Sequence, residues 1–122
     1  KIIIKFLGYI PEELKGHNDV IYISSKLDYI KYAATLRKEY FDFCIVPMIE
    51  TKSNNVKSNI IWQELSITKI PAIYSDLPPY KNVKNYNTGI KVLNNENEWI
   101  EAIGLMIEDE VLRNEIKENA YK

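Results

Sequence analysis

The sequence has a single cysteine and a single histidine, which removes the residues on which several kinds of site are built. Cys44 has no partner for a disulfide within the chain, and its position in an apolar run predicts a buried structural thiol rather than a nucleophile. His17 lies in a polar turn, without a second histidine or cysteine at metal-ligand spacing, so no metal site is predicted. A single free cysteine is typical of a reducing compartment, and we expect a cytoplasmic protein.

Long apolar runs and an excess of one charge are also missing. No stretch reaches the roughly eighteen apolar residues of a membrane-spanning helix. The formal net charge of −1 gives no electrostatic support for binding nucleic acid or an anionic membrane. With 122 residues, 46% apolar and 27% charged, the chain has the composition of one folded soluble domain. It begins with Lys1 rather than Met, and we expect it to be a fragment of a longer protein.

Apolar runs rich in β-branched and aromatic residues alternate with amphipathic stretches. Five strands are predicted, at residues 2–7, 20–24, 43–46, 72–74 and 90–93. Helices are predicted at residues 27–40, 58–68 and 96–108, the last opening with Asn95 and Glu98 in capping-box spacing, and Asp109 is expected to cap a final helix. This order predicts a Rossmann-like α/β domain with one parallel sheet of about five strands and helices on both faces. The strand at 2–7 is expected to neighbour the strand at 43–46.

The loop after the third strand is the candidate site. Ligands of parallel sheets bind at the carboxyl ends of the strands, and residues 48–57 form a long polar loop there. Lys57, Ser58 and Asn59 stand where a helix begins, and a helix start favours a phosphate through its free N–H groups and its dipole. Glu64 follows about one and a half turns later, where its carboxylate can accept hydrogen bonds from sugar hydroxyls. On these residues alone, a capped helix with a solvated lysine and glutamate is the simpler interpretation.

Several short motifs occur in the order found in the C-terminal domain of GT-B glycosyltransferases, the group 1 type with two Rossmann domains. They lie at residues 41–47, 55–59, 62–64, 70–76, 79–80, 87–92, 98–99, 112–113 and 119–120. The resemblance covers nearly the whole chain from Leu7 onward. It is greatest to the bacterial branch involved in surface-polysaccharide biosynthesis, in which the donor loop reads Asn-x-x-Lys-Ser.

The resemblance implies that the chain binds a nucleotide-sugar donor, a nucleoside diphosphate sugar, as half of an enzyme that transfers the sugar to a polysaccharide or glycan acceptor. Donor-binding roles then fall on Asn55, Lys57, Ser58, Asn59, Glu64, Ser24, Ser25 and Tyr80. In this assignment Glu64 holds the ribose, the loop residues contact the diphosphate and sugar, the two serines contact the base, and the tyrosine lies beside the donor. Many relatives have an acid eight residues before Glu64, and this sequence has Val56 there.

The resemblance also implies that the chain is incomplete as an enzyme. The acceptor, which is a glycan or a lipid-linked molecule, and the general base belong to an N-terminal domain, and a first strand with basic residues precedes the segment equivalent to 2–7. Neither is in this sequence, so the catalytic residues are unknown and the isolated chain is expected to be inactive. No cofactor or metal is expected, because helix dipoles and basic side chains neutralise the leaving diphosphate in this family. The full-length protein is expected in the cytoplasm or peripherally at the inner face of the membrane.

A protein of a different class would share these elements. A non-catalytic nucleotide-binding or interaction module on a Rossmann or flavodoxin-like fold is the alternative, since fold alone does not decide function. A receiver domain is disfavoured within that class, because residues 8–11 after the first strand contain no acid. Preference for a nucleoside diphosphate over the monophosphate would favour the glycosyltransferase.

Overall fold

The computed structural model describes residues 2–7, 10–23, 34, 36–38 and 41–122. The contacts divide the chain into two compact units, residues 1–35 and residues 36–122. The described strands are β1 (Ile4–Leu7), β2 (Val20–Ile23), β3 (Cys44–Val46), β4 (Ala72–Ser75) and β5 (Ile90–Val92). The helices are α1 (Lys52–Asn55), α2 (Ile60–Ile67), α3 (Glu96–Glu108) and α4 (Glu110–Tyr121). Short 3-10 turns lie at Glu12–Leu14 and Pro78–Tyr80.

The first unit contains a two-stranded parallel sheet. β1 and β2 pair from Ile4 opposite Val20 to Leu7 opposite Ile23. Between the two strands the chain makes the 3-10 turn Glu12–Leu14. The predicted helix at residues 27–40 lies largely outside the described residues, although Ala34 and residues 36–38 are helical.

The second unit contains a three-stranded parallel sheet in the order β3-β4-β5. In the register of this sheet, Cys44 is opposite Ala72 and Ile73 is opposite Ile90. All four residues of the central strand β4 are buried, as expected for a parallel strand that is covered on both faces. Pro71 directly precedes this strand, and its carbonyl accepts a hydrogen bond from the N–H of Cys44.

The expected single sheet of about five strands is not formed. The described strands form two separate sheets, β1-β2 and β3-β4-β5, so residues 2–7 and residues 43–46 do not share a sheet as predicted. An apolar pattern predicts that a strand is buried, but it does not choose a partner, because the hydrogen bonds of a sheet use backbone groups that nearly every residue carries. The α/β class and the parallel pairing within each sheet are confirmed.

The core of the second unit lies between its sheet and the last two helices. Its buried members are Ile73, Ile90, Val92, Ala102, Met106 and Ile116, with Phe43, Trp99, Ile103 and Leu112 packed against them. Fully burying one large aliphatic side chain is worth about 1.5–3 kcal/mol, so this cluster is the main source of stability in the unit. The core therefore depends on α3 and α4, which are the last elements of the chain.

The last two helices begin where the sequence predicts. The side-chain oxygen of Asn95 accepts a hydrogen bond from the N–H of Glu98 at 2.9 Å, and α3 covers the predicted residues 96–108. The carboxylate of Asp109 accepts from the N–H of Leu112 at 2.9 Å and caps α4. Both caps satisfy an N–H group that has no partner within its helix, which explains why these boundaries can be predicted from local sequence.

Candidate functional site

The carboxyl ends of the three strands of the second unit surround a cleft of about 640 Å³. Its lining comes from the loops that follow β3, β4 and β5, and consists of Pro47, Met48, Ile49, Glu50, Asp76, Leu77, Leu93 and Asn94. This is the edge of a parallel sheet at which ligands bind. The charged lining residues are Glu50 and Asp76, so the cleft itself offers no cation to a phosphate.

A closed set of hydrogen bonds ties these three loops together. The N–H of Met48 donates to Ser75 Oγ at 2.8 Å, and Ser75 Oγ donates to Asn94 Oδ1 at 2.8 Å. Asn94 Nδ2 donates in turn to the carbonyl of Met48 at 2.6 Å. Ser75 is fully buried, so its two bonds replace water that its hydroxyl lost on folding. The beginning of the loop after β3 is thereby held against the ends of β4 and β5.

Sequence reasoning did not identify this set of bonds. Ser75 and Asn94 each lie at or just beyond the end of an apolar strand. A polar residue at the end of a strand was the sequence feature that could have indicated these bonds. Their common partner Met48 is 27 residues from Ser75 and 46 residues from Asn94 in sequence. Such a bond is visible only once the strands are aligned.

The loop after β3 contains a helical turn, α1, that the sequence did not predict. Thr51 Oγ1 accepts from the N–H of Asn54 at 3.0 Å and caps this turn. Asn54 Nδ2 donates to the carbonyl of Ile49 at 2.8 Å, which closes the loop on itself. Asn55, one of the predicted donor-binding residues, ends the turn, and its Oδ1 is buried without a hydrogen-bond partner among the described residues. Buried side-chain oxygens are nearly always satisfied, so this atom is an unusual one for the interior of a protein.

Three predicted residues precede α2, which begins at Ile60 rather than at residue 58. Lys57 and Ser58 are exposed, and Asn59 is the N-cap residue. The side chain of Asn59 does not cap the helix, because its Oδ1 accepts from Gln63 Nε2 at 2.8 Å. The N–H groups of the first turn therefore lack a side-chain cap, and the lysine and serine stand directly before them.

Glu64 lies on the second turn of α2 and is half-buried. Within the described part of the chain, its carboxylate makes neither an ion pair nor a hydrogen bond. Its backbone carbonyl is occupied, since it accepts from the hydroxyl of Thr68 at 2.9 Å. The side chain is therefore an acceptor on the same helix whose start carries Lys57 and Ser58.

The remaining predicted donor-binding residues lie elsewhere. Ser24 and Ser25 are outside the described residues, so their contact with a base stays a prediction. Tyr80 is buried, and its ring lies 4.6 Å from that of Tyr74, tilted by 35°. Burial raises the pKa of both tyrosine hydroxyls, and for Tyr74 the neighbouring Cys44 and Tyr80 raise it further. The ring of Tyr80 thus belongs to the packed interior, and its contact with a donor also stays a prediction.

Cys44, His17 and the acidic residues are the other candidates for a site within the described part of the chain. Burial raises the pKa of the Cys44 thiol to about 11, so the thiol is protonated at neutral pH. His17 is exposed, as its polar turn predicted. Over the described ranges, no group of three or more His, Cys, Asp or Glu residues could hold a metal ion. None of the helices in those ranges is both long and apolar enough to cross a membrane.

Comparisons with protein-family models, with curated proteins and with solved structures return no match. A functional assignment therefore rests on the residues of this chain, on their geometry and on the resemblance of its motifs.

Proposed function

We propose that this chain is the nucleotide-sugar-binding half of a GT-B glycosyltransferase, a Rossmann-like domain of a longer two-domain enzyme. The donor is a nucleoside diphosphate sugar, and the acceptor, a glycan or a lipid-linked molecule, is bound mainly by the other domain. The observation that carries the proposal is the start of α2, where exposed Lys57 and Ser58 precede an uncapped first turn and Glu64 follows on the same helix.

The start of α2 is assigned to the diphosphate of the donor. The free N–H groups of a first turn carry the equivalent of roughly half a positive charge, and Lys57 adds a full charge beside them. Hydrogen bonds from charged donors to phosphate oxygens are about twice as strong as neutral ones. When the sugar leaves, negative charge accumulates on the diphosphate, and donors already in place stabilise that charge without reorganising.

The ribose is assigned to Glu64. An ionised carboxylate only accepts hydrogen bonds, and the two ribose hydroxyls can both donate to it. The side chain is half-buried and has no partner among the described residues, so a bound ribose would supply the donors that the protein does not. The competing interpretation is a solvated glutamate, whose loss would change stability by about 0–1 kcal/mol and binding not at all.

Asn55 is assigned to a hydroxyl or water at the same loop. Its buried Oδ1 has no hydrogen-bond partner among the described residues, and leaving such an acceptor unsatisfied costs about 1–3 kcal/mol. A hydroxyl of the donor sugar would remove that cost. Asn55, Lys57 and Glu64 all lie on one loop or on the helix that follows it. The three residues are therefore assigned to the same ligand.

Calorimetric titration of the isolated chain with UDP, GDP, dTDP and CDP, and with the matching monophosphates, tests the proposal. We expect one diphosphate to bind more tightly than its monophosphate. Lys57→Ala should then weaken binding by about 1–3 kcal/mol, and Glu64→Gln should weaken it about tenfold. The matched controls are Lys52→Ala, an exposed lysine of the same loop, and Glu101→Gln, an exposed glutamate of α3, and both should bind like the parent.

Four outcomes would contradict parts of this proposal. Equal affinity of Lys57→Ala and parent would remove the lysine from the site. Normal binding of both Glu64→Gln and a 2′,3′-dideoxy nucleotide would remove the ribose anchor. Preference for the monophosphate would favour the non-catalytic nucleotide-binding module, and sugar transfer by the isolated chain, above a Lys57→Ala control, would show that no second domain is needed.

A further inference from the structure

A smaller cleft, of about 210 Å³, lies at the opposite edge of the three-stranded sheet, beside the residues that lead into β3 and β4. Its walls come from residues 36–37, 41–42 and 68–71 and from the first two turns of α4. We propose that this cleft binds a phosphoryl group, at a site separate from the nucleotide site proposed above. The two proposed sites lie at opposite edges of the sheet and share no lining residue, so each can be tested without the other.

The charges of the lining favour an anion. Four basic side chains line the cleft, from three separate parts of the chain: Arg37, Lys69, Arg113 and Lys117. Two carboxylates, Asp42 and Glu110, also line it, so the cations exceed the acids by two. Basic groups that converge from separate elements are held close together by the fold, at an electrostatic cost that a bound anion would reduce.

Arg113 is the one of these four side chains that hydrogen bonds hold to the end of α3. Its Nη1 donates to the carbonyls of Met106 at 2.6 Å and Ile107 at 3.0 Å, which are free acceptors at the end of α3. These bonds fix the guanidinium and use one of its nitrogens. The opposite edge, formed by Nε and Nη2, makes no hydrogen bond to any described residue. That edge is the two-pronged donor that matches a phosphate or a carboxylate.

The other cations differ in how far they are neutralised. Lys69 is partly engaged, because its Nζ lies 3.5 Å from a carboxylate oxygen of Glu118 and 4.5 Å from the centre of the Tyr121 ring. Lys117 follows Arg113 by four residues and therefore lies on the same face of α4. Neither Lys117 nor Arg37 forms an ion pair with another described residue. These two side chains can therefore turn toward an anion without breaking an existing ion pair.

The size of the cleft limits the ligand. Its volume is several times the roughly 30 Å³ that one water molecule occupies, which leaves room for a phosphoryl group. It is below the roughly 300–1,000 Å³ of pockets that enclose larger organic ligands. A free phosphate, a phosphate monoester with its organic part outside, and a phospholipid headgroup share this chemistry.

The test is a titration of the ¹⁵N-labelled chain with inorganic phosphate at constant ionic strength, followed by amide chemical shifts. We expect saturable shifts at residues 68–70 and 110–117. The double variant Arg37→Gln/Lys117→Gln should bind about tenfold more weakly, as expected for loss of charge-assisted bonds. The matched control Lys38→Gln/Lys122→Gln removes the same charge from neighbouring positions that do not line the cleft, and it should leave the affinity within about twofold.

The proposal is overturned if no saturable shift appears at these residues, or if both double variants lose affinity equally, since general attraction to a basic surface would then explain the binding. If the first double variant does not give a folded amide spectrum, Lys117→Gln alone provides the comparison, with Lys122→Gln as its control. Lys57→Ala should leave phosphate binding here unchanged. Absence of nucleotide binding at α2 would therefore not bear on this cleft.

The source of the phosphoryl group is decided by two further probes. Glycerol phosphate in solution represents a free monoester, and vesicles of phosphatidylglycerol, compared with neutral phosphatidylcholine, represent a headgroup. Binding of either probe that falls in Arg37→Gln/Lys117→Gln and not in the control supports the site and identifies its ligand. Binding of neither probe, with no shifts from phosphate, contradicts it.

Discussion

β4 of the second unit and β2 of the first unit are both short apolar strands in parallel sheets, but their side chains lie in different surroundings. Every residue of β4 is buried, whereas Ile21 and Tyr22 of β2 keep 43% and 48% of their surface exposed. The second unit has α3 and α4, whose apolar faces cover one side of its sheet. In the second unit, the residues of β4 become core where α3 and α4 present an apolar face to the sheet.

The same difference should appear in stability. A two-stranded sheet is marginal by itself, while three strands packed against helices form a cooperative unit. The first unit has the smaller sheet and the more exposed strands, so its sheet should open more readily than β3-β4-β5. Substitutions in the two units can test this contrast.

The largest effect is expected from deleting a core side chain of the second unit. Met106 is fully buried in the cluster between sheet and helices, and Met106→Ala should lower the free energy of unfolding by about 2–5 kcal/mol. Ile21→Ala removes an aliphatic side chain that is nearly half exposed, so its cost should stay below about 1 kcal/mol. Urea denaturation followed by circular dichroism measures both. An equal loss of unfolding free energy in the two variants would contradict the expected difference between the two units.

A smaller effect is expected from adding a methyl group beside β5. A Cβ at Gly89 would lie 2.8 Å from Val83 Cγ1 and 3.0 Å from Tyr74 Cε2, and both of these residues are buried. Gly89→Ala should therefore lower stability by about 1–3 kcal/mol, because the packed neighbours must shift. Gly104 of α3 is the control, since a Cβ there meets nothing within 4 Å and alanine is the better helix former. Gly104→Ala should raise the melting temperature, and a lowered value would contradict open space at that position.

The smallest effect is a pH dependence of the second unit. Burial raises the pKa of Cys44 from 9.0 to about 11, so the folded state holds the thiol proton that the unfolded state loses above pH 9. The stability due to this group is complete below pH 9 and is lost as the pH rises through 11. Between pH 8 and pH 10 the loss should be about 1 kcal/mol.

The thiol can be separated from the tyrosines by substitution. Tyr74 and Tyr80 have pKa values raised by burial, and they act in the same direction at higher pH. Cys44→Ala should therefore reduce, without abolishing, the difference in unfolding free energy between pH 8 and pH 10. An unchanged difference would show that the thiol is accessible to water in the folded state.

Features that depend on nearby residues could be predicted from the sequence. Asn95 with Glu98, and Asp109 with Leu112, mark helix starts because each cap joins residues three apart. The strand positions also agree to within one or two residues, since an apolar run is itself local. The turn α1 was not predicted, although its cap also joins residues three apart, because no apolar periodic pattern follows Thr51.

The candidate site was predictable in part for the same reason. Lys57 and Ser58 precede a helix and are exposed, which follows from their place in the chain. The buried oxygen of Asn55 and the bonds that join Met48, Ser75 and Asn94 required the folded loops, because burial and distant hydrogen bonds arise only after the strands align. The roles of Lys57 and Glu64 toward a ligand stay predictions.

The sequence by itself determined the order of the five strands, the two capped helix starts and the polar loop before α2, because each of these depends on residues within a few positions of one another. Tertiary structure decided which strands pair, since the backbone N–H and C=O groups that join strands are the same in nearly every residue. It also decided which apolar side chains become core, because burial depends on elements as far apart in sequence as β4 and α4. The cleft lined by Arg37, Arg113 and Lys117 exists for the same reason, since packing alone brings these side chains together.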